Sequence, residues 1–295
     1  MSDQSTCDTT TEPGVWDADH GPAVTAALCA GVRSLQADPR RTGVDGHEVL
    51  RRSAGLLAQV ERQAERIRPG LAHGYEAGDV TDPVVLATAT GLTLGAEVVD
   101  RPDPMGRWQV IAVAALDAVG MSDDTVTLGD LASVLSATLA AAPALQRVFE
   151  HAGSQRASDA WITVGALATG VGVGLLTGPD DDERLSRIVG LVASCSAATG
   201  PSAFGGDAEA VLLGRAAGNA IMCARLVDTG FSVNSRTLEA PRGLLRSMTG
   251  SVPSDDATAE LRALMEVAAV ASGRPTDDVV PWKTLRRASL SQEER

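Results

Sequence analysis

Two short runs contain residue types that could do chemistry, but both patterns favour a structural role. The acidic run at 180–183 (D-D-D-E) could bind a metal ion. Carboxylates in the first turn of a helix also complement the helix dipole, and we favour this role. The Gly-x-Gly-x-Gly run at 170–174 resembles a phosphate loop, but no predicted strand precedes it. It therefore indicates close packing between helices.

The cysteines and histidines are scattered along the chain. They are Cys7, Cys29, Cys195 and Cys223, and His20, His47, His73 and His151. No cysteine belongs to a C-x-x-C pair, and no histidine lies at metal-ligand spacing beside a cysteine. The sequence therefore predicts neither a zinc site nor a disulfide framework, and it suggests no cofactor.

The composition predicts an all-α fold. Hydrophobic residues make up 44% of the chain and aromatic residues only 3%, so the core must be built from Ala, Leu, Val and Gly. Small side chains let helices approach closely, whereas a sheet sandwich would need more Val, Ile, Tyr and Phe. We expect a single large helical domain over 21–275, a disordered tail over 1–20 and a C-terminal tail over 276–295.

The charge and the N-terminal residues narrow the expected partners and compartment. A net charge of −13 repels nucleic acid and anionic membranes, so we expect neither of them as a partner. The N-terminus has neither the basic nor the apolar segment of a signal peptide, which predicts a cytoplasmic protein. The uncharged stretch 160–178 has about the length of a membrane span, but its Gly, Ala and Thr content favours a buried core helix.

Apolar residues recur at helical spacing along most of the chain. The pattern predicts helices over 24–35, 47–67, 83–98, 109–119, 128–150, 161–176, 207–229, 241–248 and 258–271, and a further helix that the acidic run opens. Asp82-Pro83 predicts a helix start, because Asp caps a helix and Pro fits its first turn. The pattern also predicts a Pro-rich connection over 100–105 and a candidate break at Pro143.

Two ordered motifs in the last third of the chain are more specific. L-G-R-A-A-G-N at 213–219 is followed by an Ala/Leu helix and then by G-F at 230–231, and L-E-A-P-R-G-L-L follows at 238–245. Together they resemble the MmgE/PrpD family, which includes 2-methylcitrate dehydratase, cis-aconitate decarboxylase and iminodisuccinate epimerase. In that family an H-x-G-R-A-A helix ends in G-F, and L-E-G-P-R-G follows. T-V-G-A at 163–166 is similar to the family's G-T-x-G-A segment.

The resemblance implies a helical domain, a homodimer and an active site between this domain and a smaller lid domain. Few residues follow 250, so we expect the lid to be missing. The family's lysine and histidine before the G-R-A-A motif correspond to Glu209 and Leu212, and its histidine before G-T-x-G corresponds to Asp159. Its acidic motif falls on 94–100, and a second histidine falls near Gly106.

These replacements suggest carboxylate chemistry. The candidate catalytic residues are Asp159, Glu209, Glu97 and Asp100, and the candidate substrate-binding residues are Trp161, Thr163 and Leu212. Paired carboxylates in a water-poor pocket suit general acid–base catalysis, and they would repel the family's anionic substrates.

We therefore expect a lyase or isomerase (dehydration, double-bond isomerisation, epimerisation or cyclisation) acting on a small, mostly apolar metabolite, in bacterial specialised metabolism. The alternatives are a non-catalytic pseudoenzyme that serves as a binding or scaffold protein, and an unrelated helical bundle.

Overall fold

A computed structural model describes residues 24–37, 45–51, 53, 82–98, 104–151, 160–178, 181–196, 206–234, 236–240, 243–250 and 280–284. The helices within them are α1 (Val24–Ala37), α2 (Pro83–Ala96), α3 (Pro104–Ser122), α4 (Leu128–His151), α5 (Trp161–Thr177), α6 (Asp182–Cys195), α7 (Gly206–Asp228) and α8 (Leu244–Thr249). Residues 46–51 are also helical. The described residues form no strand, only an isolated bridge between Thr127 and Pro281, so the predicted all-α fold is confirmed.

Most observed helix bounds lie close to the predicted ones, and two differences have physical causes. Helix α3 begins at Pro104 and not at 109, because the fixed φ of proline suits a first helical turn. Helix α4 continues through Pro143, so the predicted break is wrong. Side chains on both sides of that proline, including Leu139 and Leu145, are fully buried and hold the two halves in one helix. The predicted helix at 258–271 lies outside the described residues.

Carboxylate side chains cap the N-termini of two helices. Asp82 caps α2, because its Oδ1 accepts a hydrogen bond from the Val84 backbone N–H at 2.8 Å. Asp181 caps α6 by accepting from the Glu183 backbone N–H at 3.1 Å. Asp182 and Glu183 occupy the first turn of α6. The described part of the acidic run therefore has the capping role that its pattern predicts.

Helix α5 is central to the fold and contacts α1, α3, α4, α6 and α7. Every residue from Ile162 to Gly174 is buried. A helix that is apolar on all sides must be enclosed by other elements, so the predicted core helix is confirmed.

Two glycines of α5 set its distance from its neighbours. A Cβ atom at Gly172 would lie 2.5 Å from Thr138 Oγ1 on α4. A Cβ atom at Gly174 would lie 2.6 Å from Leu185 Cδ2 on α6. The Gly-x-Gly-x-Gly run therefore serves helix packing, as its sequence context indicates.

Helices α2 and α7 approach each other at backbone distance. A Cβ atom at Gly91 would lie 2.8 Å from Gly214 Cα, and one at Gly214 would lie 2.5 Å from the Thr88 carbonyl oxygen. One turn further along α7, a Cβ atom at Gly218 would overlap Thr88 Oγ1. The small residues of the G-R-A-A-G motif thus bring the middle of α7 close to α2.

Arg184 joins three helices at one end of the fold. Its Nη1 donates to the Gly174 carbonyl oxygen of α5 at 2.7 Å. Its Nε and Nη2 donate to the two carboxylate oxygens of Asp228 on α7, at 2.6 and 3.0 Å. The guanidinium of Arg184 on α6 therefore satisfies both a helix-terminal carbonyl group and a carboxylate.

Part of the predicted C-terminal tail packs on the helical core. Trp282 is buried, and its indole Nε1 donates to Asp117 Oδ1 on α3 at 2.9 Å. Its ring fills the space beside Gly120, where a Cβ atom would lie 2.6 Å from Trp282 Cδ1. The backbone N–H of Trp282 donates to the Val126 carbonyl oxygen at 3.0 Å.

Two helices are long and apolar enough, by length and composition, to cross a membrane. They are the 128–150 part of α4 and all of α7, and their most apolar windows are 72% and 61% buried inside the fold. Core helices of soluble proteins can be equally long and apolar, so the length and composition of these two helices are weak evidence for a membrane span.

Candidate functional site

Glu209 lies in the first turn of α7 with its side chain turned into the fold. The residue is only 1% exposed, whereas Asp207 two positions earlier is exposed to solvent. The α2–α7 contact fixes this geometry, because a Cβ atom at Gly95 would lie 3.0 Å from the Cα of Ala210, the residue after Glu209. Glu209, one of the predicted catalytic carboxylates, therefore lies in the interior of the fold.

Arg107 on α3 is the charge partner of Glu209. Its Nε donates a short hydrogen bond to Glu209 Oε1. Arg107 is itself only 5% exposed. Charge-assisted hydrogen bonds of this kind are the stronger ones in proteins, and here they compensate two buried charges.

Trp161 completes the cluster. The guanidinium carbon of Arg107 lies 5.0 Å from the centroid of the Trp161 ring, which is a cation–π contact. The indole Nε1 of Trp108 donates to the Trp161 carbonyl oxygen at 3.0 Å and fixes the start of α5 against α3. Glu209 and Trp161 therefore meet through a residue on a third helix. We refer to Arg107, Trp161 and Glu209 as the buried-charge cluster.

The other predicted residues lie in different positions. Thr163 is buried and donates its hydroxyl to the Ser196 carbonyl oxygen at 3.5 Å, at the end of α6. Leu212 follows Glu209 by about one turn of α7 and packs half-buried against the core. Glu97 is exposed at the end of α2, where its backbone N–H caps the helix. Asp159 and Asp100 lie outside the described residues.

Sequence reasoning missed Arg107. The position where the family resemblance places a histidine, Gly106, is its immediate neighbour. A general signal was present, because Arg107 and Asp117 are the charged residues of an otherwise apolar helix. A charged side chain on a buried helix needs a partner, although the sequence does not say which one.

The electrostatics of the cluster differ from the expectation for Glu209 alone. The prediction that Glu209 repels anionic substrates assumes an uncompensated carboxylate. The adjacent guanidinium brings the net charge of the pair to zero, so the pair favours neither sign of substrate strongly.

A half-buried carboxyl group lies in the L-E-A-P-R-G motif. Glu239 Oε2 accepts a hydrogen bond from Thr25 Oγ1 of α1 at 2.5 Å. Glu239 Oε1 is buried without a hydrogen-bond partner. Burial raises the pKa of Glu239, and the hydrogen bond from Thr25 opposes the rise. The motif supports the MmgE/PrpD resemblance, and the sequence does not predict its glutamate as a site residue.

No protein-family model matches the chain, and no curated protein matches its sequence. The MmgE/PrpD resemblance therefore stays a prediction. Within the described part of the chain, no group of three or more His, Cys, Asp or Glu side chains could hold a metal ion.

Proposed function

We propose that the chain is a cofactor-independent lyase or isomerase that acts on a small, mostly apolar metabolite, with Glu209 as an acid–base group. The observation that carries this proposal is the buried ion pair of Glu209 and Arg107 against the Trp161 ring. Removing two charges from water costs free energy, and apolar side chains of similar volume are often at least as stabilising. A charge pair within an Ala, Leu and Val core therefore favours a chemical role.

The two charges would have complementary roles in proton transfer. A glutamate carboxylate can remove a proton from a carbon next to a carbonyl group. A fixed guanidinium stabilises the negative charge that develops on the substrate oxygen. Protonation of the opposite face by a second acid gives epimerisation, and protonation of another carbon gives isomerisation. Protonation of a neighbouring hydroxyl group, which then leaves as water, gives dehydration. Asp159, close to Trp161 in the sequence, would act as the second acid–base group.

The surroundings of Glu209 support an uncharged, mostly apolar substrate. The Trp161 ring is half-buried beside Arg107, and Leu212 lies one turn along α7. Small-molecule sites are typically lined by apolar side chains with a few convergent polar groups. The MmgE/PrpD resemblance supports the same reaction classes, and it supports a homodimer.

A second candidate function is a non-catalytic binding or scaffold role. The observation that favours it is the compensation of the Glu209 charge inside the fold, which also suits a structural connection between α3 and α7. In this case the buried-charge cluster stabilises the helical domain and takes part in no proton transfer.

Deuterium labelling distinguishes the two candidates, and it does not require the substrate to be identified first. The purified chain is incubated in D2O with a protein-free extract of bacterial metabolites, and mass spectrometry detects compounds that gain deuterium. We expect at least one labelled compound with the wild type and none with Glu209→Gln. The matched control is Asp207→Asn, an exposed carboxylate on the same helix, which should label as the wild type does.

Two other results would count against proton transfer at Glu209. Labelling that persists at the wild-type rate with Glu209→Gln would contradict a proton-transfer role for Glu209. No labelled compound with the folded wild type would favour the scaffold role.

A further inference from the structure

Two free thiols lie in contact between α6 and α7. Cys223 donates its S–H to Cys195 Sγ, and the two sulfur atoms are 3.9 Å apart. A disulfide bond has an S–S distance of about 2.05 Å, so about 2 Å of movement separates the reduced pair from a bond. The sequence gives no sign of this contact, because the cysteines belong to different helices and to no recognised spacing.

The two thiols differ in their access to solvent. Cys195 is the last residue of α6 and is partly exposed, so a solvent oxidant reaches it. Cys223 is fully buried, and burial followed by the adjacent Cys195 sulfur raises its thiol pKa, which disfavours its reactive thiolate form. Oxidation therefore begins at the partly exposed Cys195.

We propose that Cys195 and Cys223 form a redox modification site, in which a hydroperoxide converts the two thiols into a reversible disulfide between α6 and α7. The Cys195 sulfur first attacks one peroxide oxygen and breaks the O–O bond. This step gives a sulfenic acid at Cys195 and releases the other oxygen as water, or as an alcohol from an organic peroxide.

The second step closes the bond. The Cys223 sulfur attacks the Cys195 sulfur, the S–O bond breaks, and the hydroxyl leaves as water with the proton of the Cys223 thiol. The two sulfurs together lose two electrons, and the peroxide gains them. A dithiol reductant reverses the reaction by thiol–disulfide exchange.

Cys29 provides an internal contrast. It is buried in α1, and burial raises its pKa to about 12, against a smaller opposing effect of a hydrogen bond with Ser186. Its position and acidity predict that it stays reduced while the pair reacts.

Peptide mapping of the full chain tests the proposal. The protein is treated with hydrogen peroxide, the remaining thiols are blocked, and non-reducing digestion is followed by mass spectrometry. We expect a peptide pair joined through Cys195 and Cys223, lighter by two hydrogens than the separate thiols and restored by dithiothreitol. Cys29→Ser should give the same linked pair.

A variant lacking the second thiol keeps the proposal falsifiable. With Cys223→Ser, the linked pair should disappear, and Cys195 should react with dimedone as its sulfenic acid. Three results would overturn the proposal: dimedone labelling of Cys195 in Cys223→Ser without a linked pair in the wild type, linkage of Cys195 to Cys7, Cys29 or a second chain, or no oxidation of Cys195. Circular dichroism confirms that each variant is folded before peroxide is added.

Discussion

At the residue scale, the stability of the buried-charge cluster depends on Arg107 and Glu209 being present together. Each side chain is almost fully buried, so substitution of either one removes the opposite charge beside the other in the core. A double substitution removes both charges and leaves two apolar side chains of similar size. The two experiments therefore separate the interaction from the cost of burying the charges.

We expect Glu209→Leu alone to lower the free energy of unfolding by about 3–5 kcal/mol, because it removes the carboxylate that pairs with the buried Arg107 charge. Arg107→Met combined with Glu209→Leu should recover most of this loss. Urea unfolding of the four proteins of the cycle measures the coupling. The matched control is Glu183→Gln, which breaks an exposed ion pair with Arg187 on α6 and should change stability by less than about 0.5 kcal/mol. Additive losses in the cycle would contradict the pairing.

Glu239 gives a stability prediction with a defined pH dependence. Its raised pKa means that the folded state binds this proton more tightly than the unfolded chain does. Protonated Glu239 therefore stabilises the folded state fully below the usual carboxyl pKa of 4.5. This stabilisation is lost as the pH rises through the raised pKa of the folded state.

Glu239→Gln removes this titration and keeps an oxygen that can accept from Thr25. We expect the Tm of the variant minus that of the wild type to be more positive at about pH 7.5 than at about pH 4, since only the wild type becomes charged over this range. Thermal unfolding across the pH range measures the difference, with Asp207→Asn as the control. A difference that does not change with pH would show that Glu239 titrates normally.

Of the two charged residues of the buried-charge cluster, the sequence predicts Glu209 and not Arg107. Glu209 was predicted because it stands at a fixed offset from the G-R-A-A motif. Arg107 was missed because its partner is 102 positions away along the chain, and only helix packing brings them together. Cys195 and Cys223 were missed for the same physical reason.

At the element scale, the backbone contact between α2 and α7 places Glu209 opposite α3. Gly214 lies against backbone atoms of α2, because an added Cβ would meet the Thr88 carbonyl oxygen at 2.5 Å and the Leu92 backbone nitrogen at 2.9 Å. Backbone atoms within a helix cannot move aside as a flexible side chain can. The G-R-A-A-G motif is therefore a packing motif whatever reaction the chain performs.

Gly214→Ala should lower the free energy of unfolding by about 1–3 kcal/mol through overpacking, despite the better helix propensity of alanine. The matched control is Gly106→Ala on α3, where an added Cβ would make ordinary contact with Val98 at 3.8 Å. That control should be neutral or stabilising by up to about 1 kcal/mol. Chemical denaturation measures both. Equal stability of Gly214→Ala and the wild type would show that the two helices can separate at little cost.

Helix positions were predicted well where composition and end signals agreed. Asp82-Pro83 and the run of small apolar residues from Trp161 onward predicted helix starts that the structure confirms. The start of α3 was predicted too late, because Pro104 was assigned to a connection although proline also begins helices. The sequence predicts a break at Pro143, because proline cannot make the helical hydrogen bond at its position. The burial that offsets this loss is not visible in the sequence.

At the scale of the whole molecule, the residues around Trp282 close the fold over the turn between α3 and α4. Burial of the Trp282 ring and its hydrogen bond to Asp117 join residues 165 positions apart in the sequence. The sequence predicts a tail over 276–295, and it does not show the pairing of Trp282 with Val126, because that pairing depends on a turn elsewhere in the chain.

Trp282→Ala should lower the free energy of unfolding by about 3–5 kcal/mol, since it removes a large buried side chain. The control is Lys283→Ala, which removes only a surface ion pair with Asp124 and should cost less than about 1 kcal/mol. Urea unfolding followed by circular dichroism measures both variants. A loss of stability for Trp282→Ala as small as the one expected for Lys283→Ala would show that the segment does not contribute to the fold.

The proposed function requires Glu209 to belong to a two-carboxylate acid–base site. The most direct measurement is the distance between the carboxyl groups of Asp159 and Glu209 in a crystal structure of the full chain. Paired acid–base carboxylates lie within about 10 Å of each other across a substrate, and we predict this separation, with both groups facing one cavity beside Trp161. An Asp159 carboxyl group that points into bulk solvent, away from the buried-charge cluster, would contradict the proposal.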